Sequence, residues 1–260
     1  MPQPAPFKVL LGLLFFVSAV GASDLEKERR WENQITDALL EGEAIHLEDS
    51  RSRFLAIETP SADGNRDKVA IIMHGTGVHP DWPTVVHPLR VGLPQLGWNT
   101  LSIQMPVLAN DAEHSAYASL YDRVPERLDA AIQHARESGA KTLVLIGHSQ
   151  GSTMAAYYLA QGDEKLDGFI AIGMGAGASS GPMDNLSHLM KIRLPMLDLF
   201  GSEDLPGVID SAAQRAKSAR QVNNRYQQIQ VSGADHFFEG EEELLLRTVD
   251  TWLTNNYLKR

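Results

Sequence analysis

The chain has 260 residues, 43% of them hydrophobic and 22% charged, with a net charge of -10 and an isoelectric point near 5.3. That length can bury a sizeable core in one α/β domain. The acidity, with no Lys/Arg cluster to offset it, repels nucleic acid phosphates and anionic lipid, so nucleic acid is not an expected partner. The chain has no cysteine, which excludes disulfides, a thiol nucleophile, thiolate metal ligands and a lipid-bearing cysteine.

Residues 1–22 read as a targeting segment: Lys8 supplies a positive flank, Val9 to Val20 is almost wholly apolar, and "VGA" ends in a small residue at Ala22. Cleavage is expected after Ala22. An apolar run of a dozen residues falls short of the about 20 that span a bilayer as a helix, so a cleaved signal with no stable membrane span afterwards is the expectation and an uncleaved anchor or buried helix the alternative. The remainder, 23–260, is expected to form a single domain in the periplasm or outside the cell, and a disulfide-free domain suits a Gram-negative periplasm.

In chain order, "DLEKERRWENQITDALLEG" carries Trp31, Ile35, Leu39 and Leu40 at helical spacing and predicts a lead-in helix ended by Gly42. "AIHLED" and "RFLAIETP" predict two short strands, and "SADGNRD" a polar loop before "KVAIIMHG", an apolar run suited to a strand buried on both faces. Strands and helices then alternate. "NTLSIQMP", "KTLVLIGHS", "LDGFIAIGMG", "LPMLDLFG" and "YQQIQVSGADH" are the strand candidates. Helices are expected over Pro83 to Leu96, Leu120 to Ser138, Ser152 to Ala160, Val208 to Val222 and Glu241 to Leu258. The alternation predicts a mostly parallel central sheet flanked by helices on both faces. The glycine-rich span from about Ala176 to Arg193 is too short for a large lid.

"IGHSQGS" joins an apolar strand to a helix, so Gly147, His148, Ser149, Gln150 and Gly151 match Gly-x-Ser-x-Gly in the setting that pattern requires. A serine on so sharp a turn projects its hydroxyl above the sheet, and small residues at Gly147 and Gly151 permit the close packing. A serine hydroxyl needs a base, and the base an orienting group. "LPMLDLFGSEDLP" delivers Asp204 just past one strand and "IQVSGADHFFEG" delivers His236 just past the next. Asp198, inside the apolar run, is the alternative acid and must have partners there. Asp235 is expected to face away and shape the loop.

The loop "MHGTGVHPDWPTVVHP" completes the set. Its glycines let the backbone approach a substrate oxygen, so the N–H groups of Gln150 and Thr76 are the expected oxyanion donors, with Gly75 the alternative to Thr76. His74, Gly75, His79, Trp82 and His148 are candidates to line the pocket. His74 reads as a loop brace, His148 as pointing away from the serine, and Trp82 equally as packing. Asp81 is expected to cap a helix starting at Pro83. His74, His79 and His87 are spaced by five and eight residues, which is neither a helical pair nor a finger pattern, so no metal is expected.

Through "HGTG", "GHSQG", "GSED" and "GADH", in the chain order Ser149, Asp204, His236, the sequence resembles the α/β-hydrolase superfamily over nearly its whole mature length. "HPDWP…PLR…LGW", "LDLFGSED" and "GADHFFEG" are similar to an uncharacterised group of bacterial envelope α/β-hydrolase-like proteins. The resemblance implies an α/β-hydrolase fold and a Ser-Asp-His triad; together with the short span that leaves a minimal lid, the motifs predict a serine hydrolase, carboxylesterase in type and needing no cofactor or metal, that cleaves an ester-like bond through a covalent acyl-enzyme. Its expected partner is a small-molecule or envelope-associated acyl substrate. The alternative is a non-catalytic envelope binding or scaffold protein that keeps the fold.

Overall fold

Alternating burial along the strands builds the frame. In β3 (Lys68–Met73), Val69, Ile71 and Met73 enter one core while Ala70 and Ile72 enter another on the opposite face, as the period-two geometry of a strand requires. The same holds in β5 (Thr142–His148), where Leu143 and Leu145 oppose Val144 and Ile146. Strands buried on both faces need helices on both sides. The computed structural model describes residues 23–162 and 165–257; the expected leader and its cleavage point at Ala22 lie outside them.

Eight strands form one sheet in the order β1-β2-β4-β3-β5-β6-β7-β8. β1 (Glu43–Glu48) and β2 (Arg53–Thr59) pair antiparallel, and β2 runs antiparallel to β4 (Asn99–Ile103). From β4 through β3, β5, β6 (Gly168–Ile172), β7 (Met196–Glu203) and β8 (Tyr226–Asp235) every pairing is parallel. The expected mostly parallel sheet with helices on both faces is the observed one.

α3 (Val124–Glu137), α4 (Gln150–Leu159) and α6 (Pro206–Arg220) cover one face, while α2 (Val86–Gly92) and α7 (Glu242–Tyr257) cover the other. The apolar stripe of α3, with Leu128, Ala131, Ile132 and Ala135, is fully buried, and Gly139 at φ 107° follows the helix end as expected. α1 (Leu25–Ala38) lays Ile35 against Leu55 and Ile57 of β2. Arg127 of α3 is wholly buried, its guanidinium donating to Asp49, Glu28 and the Gln104 carbonyl. This ties α3, α1 and the segment after β4 together.

Two expectations about helices need correction. The stretch Pro83 to Leu96 is not one helix: α2 begins at Val86 and passes into a 3-10 turn over Leu93–Leu96. Pro88 accounts for the late start, because in a helix from residue 83 its ring would meet a carbonyl one turn back, whereas it is tolerated in the first turn. Asp81 does not cap that helix. Its carboxylate receives Arg90 Nε at 2.8 Å and pairs with His87 at 2.9 Å, and residue 85 at the helix start has φ 57° with no side-chain cap. Two elements were also not expected: 3-10 turns over His114–Leu120 and a short α5 (Asn185–Leu189), both short pieces with no readable apolar stripe. The span between β6 and β7 holds only α5 and a 3-10 turn at Gly181–Met183, so the lid is minimal.

Candidate active site

Ser149 sits between the end of β5 and the start of α4 with φ 52° and ψ -116°, a strained conformation for a residue with a side chain. The turn can be this tight because its flanking glycines meet backbone directly. A Cβ on Gly147 would lie 2.5 Å from the Ser152 nitrogen, and one on Gly151 would collide with the Met73 and His74 carbonyl oxygens. The strain raises the hydroxyl out of the sheet toward the ends of β7 and β8.

Those strand ends supply the partners. The Ser149 hydroxyl donates to His236 Nε2 at 3.0 Å, and His236 Nδ1–H donates to Asp204 Oδ1 at 2.6 Å. Asp204 is buried and takes a further N–H from Leu205 at 2.7 Å. The order of the three along the chain is the one expected. Asp198 does not reach the histidine. It is fully buried against Arg215, whose Nε and Nη2 donate at 2.9 and 3.2 Å, and it also accepts from Tyr226 at 2.6 Å and Gln228 at 2.9 Å. Its place in the middle of β7, several residues before the strand end, points it into the α6 side of the core. Asp235 accepts from the Phe237 and Glu239 N–H groups, so it shapes the loop as expected.

Two backbone segments flank the serine. Gln150 is the first residue of α4, and a helix start leaves its N–H groups unbonded within the helix. The Gln150 side chain is drawn aside by the Tyr121 hydroxyl at 2.7 Å. Across the cleft a Cβ on Gly75 would be 3.2 Å from Ser149 Cβ, so this loop passes as close to the serine as a glycine allows, and Thr76 follows it.

His74 braces that loop. It is buried, its Nε2 accepts the Met105 N–H at 2.9 Å, and its Nδ1–H donates to the Gly75 carbonyl at 2.9 Å. Burial holds its pKa down to about 3, so it stays neutral. His148 turns toward His236 and not toward the serine hydroxyl: its Nε2–H donates to the His236 carbonyl at 3.0 Å, and its ring lies 5.1 Å from the His236 ring. Burial and the neighbouring His236 lower its pKa to about 4. His79 is wedged between Trp31 and Trp82, and His87 faces Asp81. His79 Nδ1 also accepts the Asp81 N–H at 3.2 Å, so His79 and His87 share Asp81 while His74 is turned toward Met105, and among the described residues no cluster of three or more metal-ligating side chains occurs.

Two clefts meet at the serine. One, of about 590 Å³, is bordered by Gln150, Thr153, Asn185, Met183 and Val208; the other, of about 500 Å³, by Gly75, Thr76, Val78, Trp82, His148 and Phe237. Ser149, His236, Leu205 and His114 border both. Of the pocket candidates, Gly75, Trp82 and His148 line a cleft while His74 and His79 do not; His74 is turned into the core and His79 into an aromatic stack. Leu205, Phe237, His114 and Asn185 were missed. Leu205 and Phe237 adjoin Asp204 and His236 in sequence, which could have marked them, whereas nothing local marks His114 or Asn185.

Comparison with known proteins agrees with this architecture. No curated protein sequence matches the chain. Among similar solved structures are Est1E from Butyrivibrio proteoclasticus with ferulic acid bound (14% identity, TM-score 0.68, 83% of this chain and 100% of that one) and a dienelactone hydrolase from Anabaena variabilis (19%, 0.67, 83% and 98%). A third is the esterase Pf2001 from Pyrococcus furiosus (15%, 0.66, 85% and 95%). At such identities the likeness is one of fold, that of the α/β-hydrolases. A family described as protein of unknown function, DUF3530, matches residues 18–119 and 108–255. On that match, which spans most of its length, the chain belongs to the DUF3530 family, and this member is built on the α/β-hydrolase fold.

Proposed function

We propose that this protein is a serine hydrolase of carboxylesterase type, a single domain over 23–260 that works in the periplasm or outside the cell after removal of its leader at Ala22. The observation that carries the reading is the continuous relay from Asp204 through His236 to Ser149, with the serine at positive φ. The esterase and hydrolase names of proteins sharing the fold support a hydrolase.

The chemistry follows from the relay. His236 Nε2 takes the hydroxyl proton as Ser149 Oγ attacks an ester carbonyl, and the Asp204 carboxylate stabilises the imidazolium that forms. The Gln150 and Thr76 N–H groups bind the oxygen as it gains negative charge. The imidazolium then protonates the departing alcohol as the ester C–O bond breaks, leaving an acyl-serine. Water, deprotonated by the same histidine, attacks the acyl carbon and releases the acid, restoring the serine hydroxyl. Every proton and bond is accounted for by side chains of this chain, without a metal or cofactor. The substrate is a small-molecule or envelope-associated acyl compound.

A fluorophosphonate probe tests the reading, because it reacts only with an activated serine. One equivalent is expected on the wild-type protein and none on Ser149→Ala. A folded wild-type sample that does not label would contradict the reading and leave the non-catalytic scaffold in its place.

A further inference from the structure

The two clefts differ in chemistry. The smaller one presents Val78, Trp82 and Phe237, and Phe237 and the shared Leu205 are 40% and 52% exposed. Large apolar side chains left open beside a reactive serine favour an apolar ligand that would cover them. The larger cleft sets Ser115, Thr153, Ser180 and Asn185 among glycines, alanines and the apolar Met183, Leu205 and Val208. Asn185 is fully buried; its amide donates to Thr153 Oγ1 at 3.0 Å and to the Gly175 carbonyl at 2.9 Å, and its Oδ1 has no partner among the described residues. A buried acceptor without a donor is unfavourable until one arrives, and a ligand hydroxyl can be that donor.

Among the described residues, no Asp, Glu, Lys or Arg lines either cleft. A charged substrate group would lose its water there without gaining a counter-ion, and an anion would also meet a chain of net charge -10. Volumes of about 590 and 500 Å³ on the two sides of the serine leave room for a sizeable group on each side of the scissile bond.

Building on the serine hydrolase reading, we propose that the substrate class is an uncharged ester of an apolar acid with a hydroxyl-bearing alcohol, such as a polyol or sugar. The apolar acyl group occupies the Trp82–Phe237 cleft and the hydroxylated alcohol occupies the Asn185 cleft. The acyl group is assigned to the Trp82 side because Val78, Trp82 and Phe237 line that cleft; the oxyanion donors do not decide it, since Thr76 borders this cleft and Gln150 the other.

Three esters of 3-phenylpropionic acid test this: with methanol, with glycerol, and with glyceric acid, whose carboxylate is ionised. The glycerol ester is expected to exceed the methyl ester in kcat/KM by about tenfold, one well-placed hydrogen bond's worth, and the glyceric ester to fall at least as far below the glycerol ester. Asn185→Leu should collapse the ratio of glycerol to methyl ester toward one. Phe237→Ala, at an exposed rim position, should raise KM for all three. Equal rates on the methyl and glycerol esters, or preference for the glyceric ester, would overturn the proposal. The wild-type panel decides the matter even if Asn185→Leu does not fold. Fluorophosphonate labelling run alongside separates the two failures: labelling without the preference sinks only the substrate class, whereas no labelling sinks the hydrolase reading itself.

Discussion

Replacing Asp204 or Asp198 by asparagine removes one negative charge from two buried sites in the same strand and its following turn, and the two losses should fall on different properties. Asp198 and Arg215 both have fully buried side chains, and the carboxylate also receives Tyr226 and Gln228. Neutralising it leaves the guanidinium without its ion, and breaking such a pair costs about 3–5 kcal/mol. For a domain of this size about 2–4 °C of melting temperature accompanies each kcal/mol, so Asp198→Asn should melt roughly 6–20 °C lower. Its folded fraction should keep its esterase rate. Asp204→Asn keeps the side-chain shape but presents the wrong hydrogen-bonding partner to His236 Nδ1, and in the Ser-His-Asp template that lowers kcat by about 10⁴. Its melting temperature should fall less than that of Asp198→Asn. The assay is p-nitrophenyl ester hydrolysis normalised to fluorophosphonate-labelled sites, with thermal denaturation followed by circular dichroism. An Asp198→Asn protein that is folded and silent, beside an active Asp204→Asn, would refute the assignment of the acid.

Other expectations follow from the same contacts. Gly151→Ala should abolish activity, because its methyl group would collide with the Met73 and His74 carbonyls and push the serine turn away from the loop carrying Thr76; loss of fluorophosphonate labelling reports it. Stability should fall in acid. His148 and His74, held near pKa 4 and 3 when folded against 6.5 when exposed, are neutral in the native state and must charge on unfolding. Their stabilisation is complete above pH 6.5 and lost as the pH falls toward the folded values, at about 1.4 kcal/mol per pH unit for each. Urea titrations between pH 7 and 4.5 should show this slope, and His148→Asn should flatten it. Asp81→Ala should destabilise the fold by more than the about 1 kcal/mol of a lost helix cap, because it strands the wholly buried Arg90; urea denaturation measures this.

What the sequence revealed divides along a physical line. Strands such as Val69–Met73 and Leu143–Ile146 were legible because burial on both faces demands unbroken apolar runs. Ser149, Asp204 and His236 were legible as candidates because each stands at a strand end where the chain must turn, and the fold brings the three side chains within hydrogen-bond distance. The engagement of Asp198 by Arg215, and of Asp49 by Arg127, depends on partners 17 and 78 residues apart, which no local pattern encodes. α5 and the turns at His114–Leu120 escaped because a helix of one or two turns shows no periodicity. They supply Asn185 and His114, so much of the cleft wall was hidden while the Asp204–His236–Ser149 relay was not. The loop histidines illustrate the reverse case: they look like one cluster in sequence, but in space His79 and His87 meet at Asp81 while His74 turns into the core.

The most direct test of the central claim is rapid mixing of the protein with p-nitrophenyl acetate, followed by acid quench and peptide mass analysis. The account predicts a burst approaching one equivalent of p-nitrophenol when deacylation is the slower step, and an acetyl group on the peptide containing Ser149, absent from Ser149→Ala. Ester hydrolysis that persists in Ser149→Ala, or an acetyl group found on another residue, would contradict it.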